Sequence, residues 1–152
     1  MKNDSFDSGC DGSVISEMIH DARKELLSLL EWSVNIMYER FSSTKIYSKI
    51  LLLEENRKKP DIKTFNYKEQ RELEFEINNC FTPFIGNLKK YCPYLTKKEI
   101  LICSLFLRFH PLTISLCIGY NNTNCIKTHK NRIKKKLIEL SNHFFLFDFI
   151  FK

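Results

Sequence analysis

Residues 121–137, NNTNCIKTHKNRIKKKL, hold six of the 24 Lys and Arg residues of the chain and no Asp or Glu. Amide, hydroxyl, ammonium and guanidinium groups are the side chains that hydrogen-bond to phosphates and to base edges. Charge is uneven along the whole chain, because residues 89–152 carry a net charge of +9 and residues 1–88 a net charge of −3. A polyanion is therefore the expected partner of the carboxy-terminal part.

A helix over about residues 122–138 would sort these side chains onto two faces. The apolar residues at helical spacing, expected to face the core as one stripe, are Ile126, Ile133, Leu137 and Leu140. The opposite face carries Asn124, Lys127, Thr128, Asn131 and Lys135, with Lys130, Arg132, Lys134 and Lys136 along its flanks. Taken alone, a basic amphipathic helix is more often a solvated surface than a nucleic-acid reader, so the preceding segment decides between the two interpretations.

The preceding segment favours the nucleic-acid reader. A capping box, Thr96 with Glu99, predicts the start of a helix that runs through Arg108. His110 and Pro111 then open a short helix over residues 112–118, and Gly119 supplies the positive φ needed to leave it. A short helix joined by a turn to a basic helix is the arrangement of a helix-turn-helix, whose second helix enters the major groove.

Residues 95–137 resemble the carboxy-terminal DNA-binding domains of LuxR/GerE-type bacterial transcriptional regulators. The residues that match the family's pattern are Leu95, Thr96 and Glu99, then Ile114, Ser115, Ile118 and Gly119, then Cys125, Ile126, His129, Ile133, Lys136 and Leu137. The sequence departs from the pattern at Ser115, where alanine is usual, and at Cys125, where threonine is common. The first two helices of the motif are also about one residue closer together than usual. A weaker likeness extends from about residue 43 to residue 152.

The resemblance implies a role for each residue of the basic helix. Base-reading positions of the family fall on Lys127, Thr128 and Asn131. Contacts with the DNA backbone would come from Lys130, Arg132, Lys134 and Lys135. His129 either contacts a phosphate or packs beside Ile126 and Ile133. The positions better interpreted as core are Leu95, Ile102, Leu105, Ile114, Ile118, Ile126, Ile133 and Leu137.

The rest of the chain predicts an all-α protein with a helical extension before the helix-turn-helix domain, because no βαβ pattern or phosphate loop is present. Residues 1–13 mix Asp, Ser and Gly without periodicity and are expected to form a disordered tail. Residues 14–92 are expected to form the helical extension, with a helix over 14–41 and a break or restart at Thr82 and Pro83. Residues 93–152 are expected to form the DNA-binding domain, closed by a short hydrophobic helix or, failing that, a strand.

Other classes of function are less well supported by the residues. The four histidines are scattered and lie in no catalytic motif, so we expect no enzyme, no catalytic residue and no cofactor. A zinc site of Cys117, Cys125 and His129 can be drawn, but the spacing matches no standard finger. No CxxC pair occurs among the six cysteines, which favours reduced core thiols over metal ligands or disulfides. No signal peptide or membrane span is visible, which predicts a cytoplasmic protein.

A protein-interaction module remains the main alternative. The helix over residues 14–41 has a partial coiled-coil pattern around residues 26–41, so it is a candidate for homodimerisation or for binding a sensor or another regulatory protein. The same helix could instead pack against residues 44–92 of its own chain. The dependence of binding affinity on salt concentration distinguishes the two functions. A protein–DNA complex forms with release of counterions and weakens steeply as salt rises, whereas a contact between protein helices does not.

Overall fold

The structure is a computed structural model that describes residues 10–151, with side chains from residue 12 onward. The described residues form helices and contain no strand, which confirms the predicted all-α fold. The helices are α1 (Cys10–Phe41), α2 (Lys45–Asn56), α3 (Tyr67–Cys80), α4 (Thr82–Tyr91), α5 (Lys97–Phe106), α6 (Pro111–Cys117), α7 (Asn124–Lys134) and α8 (Phe144–Phe151), with a π-helix, Lys135–Leu140, directly after α7. Within residues 10–151, none of them is both long and apolar enough to cross a membrane.

The chain divides into two compact units, residues 1–35 and residues 36–152. The described part of the first unit is a single stretch of helix, since α1 begins at Cys10. Residues 10–13, which were expected to belong to the disordered tail, are therefore helical. A single internal glycine such as Gly12 lowers the stability of a helix by only about 1 kcal/mol relative to alanine, so it does not end the helix. The rest of that predicted tail, residues 1–9, lies outside the described residues.

Local signals set most helix boundaries in the second unit. The side chain of Thr44 accepts a hydrogen bond from the amide of Tyr47 at the start of α2. α3 and α5 each begin with a complete capping box, formed by Asn66 with Glu69 in α3 and by Thr96 with Glu99 in α5. In each box, the side chain of each residue hydrogen-bonds the backbone of the other. At Thr82 the chain restarts as α4, because the proline that follows suits a first helical turn.

The second unit has one continuous core. α2 packs against α3 and α6, α3 also packs against α4 and α5, and α5 packs against α6 and α8. The boundary expected between residues 92 and 93 therefore lies inside this unit. Phe41 and Phe81 are fully buried and meet edge to face, and the hydroxyl of Tyr38 beside them donates to the carbonyl of Ser104 at 2.7 Å.

The core positions expected in the helix-turn-helix segment are confirmed. All eight are buried, namely Leu95, Ile102, Leu105, Ile114, Ile118, Ile126, Ile133 and Leu137. The expectation that Leu140 continues the buried stripe is wrong, because this side chain is 54% exposed. The cause is the π-helix, in which each turn takes up roughly one residue more than in an α-helix and the register of an α-helix is lost.

Candidate nucleic-acid interface

The segment predicted to be a helix-turn-helix consists of α6, a six-residue connection and α7, and the two helices pack against each other. α6 ends in a Schellman motif, in which the amide of Tyr120 donates to the carbonyl of Ser115 at 2.9 Å and the amide of Gly119 donates to the carbonyl of Leu116 at 3.3 Å. Gly119 has a φ of 96°, which confirms the positive φ predicted from the sequence. The turn thereby satisfies the last carbonyl groups of α6 and directs the chain into α7.

Alanine at Gly119 should lower the free energy of unfolding by about 1–3 kcal/mol, since the left-handed conformation disfavours a Cβ and the new methyl group would disturb a hydrogen bond. That Cβ would lie 2.9 Å from Nε2 of Gln70, which donates to the carbonyl of Phe65. Gly86→Ala in α4 is the matched control, because a Cβ there meets nothing within 4 Å. Denaturant titration should show a loss for Gly119→Ala and a gain of ~0.5–1 kcal/mol for Gly86→Ala. Equal effects would contradict this account of the turn.

Ser115 and Asn122 join α6 to the start of α7. The buried hydroxyl of Ser115 donates to the backbone carbonyl of Asn122, and the side-chain oxygen of Asn122 accepts from the amide of Asn124 at 3.0 Å. Asn122 thus caps α7 in place of Thr123, whose side chain makes no cap hydrogen bond. The departure from the family pattern at Ser115 has a structural role here that sequence reasoning missed, since only the hydroxyl can make this bond.

The three predicted base-reading residues lie together on α7, and each is exposed: Lys127, Thr128 and Asn131. The hydroxyl of Thr128 donates to the carbonyl of Asn124 at 3.2 Å, which leaves its oxygen able to accept a further hydrogen bond. Among the described residues, none hydrogen-bonds the side chain of Lys127 or Asn131. Each of these side chains can therefore donate to a ligand without first breaking a bond within the protein.

Three of the four predicted backbone-contacting residues are exposed: Arg132, Lys134 and Lys135. In the described part of the chain, no carboxylate forms an ion pair with any of them. The fourth, Lys130, is half-buried, and its ammonium group lies 5.5 Å from the ring centroid of Phe151 in α8. A cation over an aromatic face keeps its charge, so Lys130 is oriented but not neutralised.

Two open grooves flank the basic face of α7. One has a volume of about 440 Å³ and is lined by Lys127, Lys130, Asn131, Lys134 and Phe147. The other has a volume of about 330 Å³ and is lined by Phe106, His110, Pro111, Thr123, Ile126, Lys127 and Lys130. Lys127 and Lys130 line both grooves and so form the ridge between them. Cationic and amide groups converge on the first groove, which suits an anionic ligand.

Lys136 differs from the other basic residues, because its ammonium group forms an ion pair with Glu99 at 2.6 Å. It was expected on the flank of the basic face, and this expectation is wrong. The same carboxylate oxygen also accepts from the amide of Thr96 at 2.8 Å, so one group caps α5 and holds the π-helix. Burial alone would raise the pKa of Glu99, but its hydrogen bonds with Lys136 and Thr96 hold that pKa below its ordinary value.

His129 is half-buried on α7, and its Nδ1 atom is buried without a hydrogen-bond partner among the described residues. Burial lowers the pKa of the imidazole, and the positive charges of Lys98 and Arg132 lower it further. The ring is therefore neutral near pH 7. A neutral, partly buried imidazole agrees with packing and disfavours the alternative role as a phosphate contact.

The cysteines whose side chains are described form no disulfide, and all but one are buried: Cys80, Cys92, Cys103 and Cys117 are buried, whereas Cys125 is half-buried. Burial raises the pKa of the Cys117 thiol well above its ordinary value, which disfavours the thiolate that zinc requires. Among the side chains of residues 12–151, no group of three His, Cys, Asp or Glu residues is placed to hold a metal ion.

Comparison with known proteins yields no relative, as no family model, no curated protein and no solved structure matches the chain.

Proposed function

We propose that the protein is a sequence-specific DNA-binding transcriptional regulator that acts in the bacterial cytoplasm, with α7 in the major groove of duplex DNA. The observation that carries this proposal is the outward face of α7. It presents cations and amides that are unpaired among the described residues, from a helix that is held by the Schellman turn and by the bond between Ser115 and Asn122. The resemblance of residues 95–137 to LuxR/GerE-type domains points to the same function.

The proposal assigns sequence reading to Lys127, Thr128 and Asn131. An ammonium group can donate to O6 and N7 of guanine, an amide can pair with adenine, and a hydroxyl can pair with either a donor or an acceptor. All three side chains are exposed on one side of α7, so one docking orientation can present them to successive bases. Lys130, Arg132, Lys134 and Lys135 supply affinity by contacting phosphates, which carry no sequence information.

Asn131→Ala separates base reading from electrostatic attraction. Selection of bound duplexes from a random pool should yield a defined site for the wild-type protein. In the variant, the base preference should change at one position, and at its symmetry mate if the site is paired, with ~1–3 kcal/mol of discrimination lost there. Affinity for random DNA should hardly change, since no charge is removed.

Asn79→Ala is the control, because Asn79 is an exposed asparagine of α3, outside the basic face. This variant should select the wild-type site. An Asn131→Ala protein that keeps the wild-type preference would show that α7 does not dock in this orientation, and a wild-type protein that selects no site would overturn the proposed function.

A further inference from the structure

α1 carries a wide apolar band within residues 10–35. Its large side chains are between 48% and 65% exposed: Val14, Ile15, Met18, Ile19, Leu26, Leu29 and Trp32. At about 100° per residue they span roughly 140° of the helix surface, and the remainder is mostly polar. The described residues of this unit thus leave an apolar helix face in contact with water, which monomeric proteins rarely do over such an area.

One side of this band follows the spacing of a coiled coil. Ile15, Ile19, Ala22, Leu26 and Leu29 succeed one another at intervals of four, three, four and three residues. Alternating intervals of this kind keep one seam facing a partner helix when two helices supercoil, and each seam residue inserts between residues of the facing helix. A second copy of the chain presents the same apolar residues, so the seam of one helix can pack against the seam of another.

The exposed area approaches that of a stable dimer interface. All the exposed side chains of the band except Val14 lie in the seam or beside it, and these six, at about half exposure, leave on the order of 600 Å² of apolar surface. Stable protein interfaces bury ~800 Å² on each partner. We infer that α1 forms a two-stranded coiled coil with a second copy of this chain, through the seam from Ile15 to Leu29. This inference does not rest on the proposed DNA binding.

The residues beside the seam favour two copies that run parallel. In a parallel pair, the flanking residues Met18 and Glu25 lie beside Arg23 and Leu30 of the other copy, so no like charges meet. In the antiparallel pair with the greatest overlap, Arg23 would meet Arg23 and Glu25 would meet Glu25. Repulsion between like charges makes the antiparallel pair the less stable of the two.

Sedimentation equilibrium of the full chain without DNA tests the seam. At micromolar concentration, the wild-type protein should have the mass of two 18.1 kDa chains. The double variant Leu26→Glu, Leu29→Glu should have the mass of one, because two buried layers would each contain facing carboxylates. Leu52→Glu in α2 is the control and should remain dimeric, since Leu52 is 59% exposed, as is Leu29.

Disulfide formation tests the orientation. Ala22 occupies a seam position that faces its own equivalent only in a parallel pair, so Ala22→Cys should give a covalent dimer on a non-reducing gel. Ser28→Cys, on the polar side of α1, should resemble the wild-type protein.

A monomeric wild-type mass, a trimer or larger, or a dimer that survives both glutamates would overturn the inference. A dimer without the Ala22→Cys cross-link would overturn the parallel orientation. DNA binding enters none of these readouts.

Discussion

Alanine at both Lys134 and Lys135 is expected to weaken binding to duplex DNA by roughly 10–30-fold at about 0.15 M salt, whatever the DNA sequence. Both ammonium groups are exposed and unpaired among the described residues, so each can displace a counterion from one phosphate. The slope of log affinity against log salt should become shallower by about two units. Fluorescence anisotropy over a series of salt concentrations measures both quantities.

Lys58→Ala with Lys59→Ala is the matched control. These lysines are also adjacent and exposed, but they follow α2 and lie outside the basic face. The control removes the same net charge, so it should alter binding only through the weak long-range field of the protein. Equal losses in the two double variants would show that net charge, and not the face of α7, attracts DNA.

Methionine at Lys136 is expected to reduce the free energy of unfolding by ~2–4 kcal/mol, because it removes one partner of a buried ion pair. The side chain of Glu99 is only 3% exposed, so its carboxylate would lose its counter-charge away from water. The side chain of Lys136 is 24% exposed, which places the expected cost below that of a fully buried pair. Denaturant titration measures the loss, and an unchanged midpoint would contradict the stabilising role of the pair.

Glu99→Gln tests the same pair from the other side and adds a pH dependence. Glutamine can still complete the capping box with Thr96, so the charge is removed while the start of α5 is preserved. Because the pKa of Glu99 is lowered in the folded protein, its stabilisation is complete above the ordinary pKa of 4.5 and is lost as pH falls through the lowered value. The wild-type advantage over Glu99→Gln should therefore be full at pH 7 and disappear in acid.

Local sequence signals predicted much of the fold. The capping box at Thr96 acts over three residues, and the turn at Gly119 depends on the conformation of one residue. Signals of this range can be recognised without knowing how the helices pack. The buried stripe of α7 was predictable for the same reason, since helical spacing alone places Ile126 and Ile133 on one face.

Features that depend on distant residues could not be predicted in this way. Lys136 and Glu99 are 37 residues apart, and nothing in the basic run distinguishes Lys136 from the lysines beside it. The position of Lys130 over Phe151 likewise depends on how α8 packs beside α7 and the π-helix. The outward positions of Lys127, Thr128 and Asn131 were predicted from helical spacing, whereas their role as base readers stays a prediction.

The π-helix after α7 also has a consequence for sequence alignment. A π-helical turn is what an α-helix becomes when one residue is inserted and the flanking contacts are kept. Here Leu137 is buried within the π-helix, and α8 begins beyond the π-helix at Phe144. A homologue that is α-helical over residues 135–140 should therefore align with this chain through a one-residue gap within that stretch, and scoring that forbids a gap inside a helix would misplace the residues that follow.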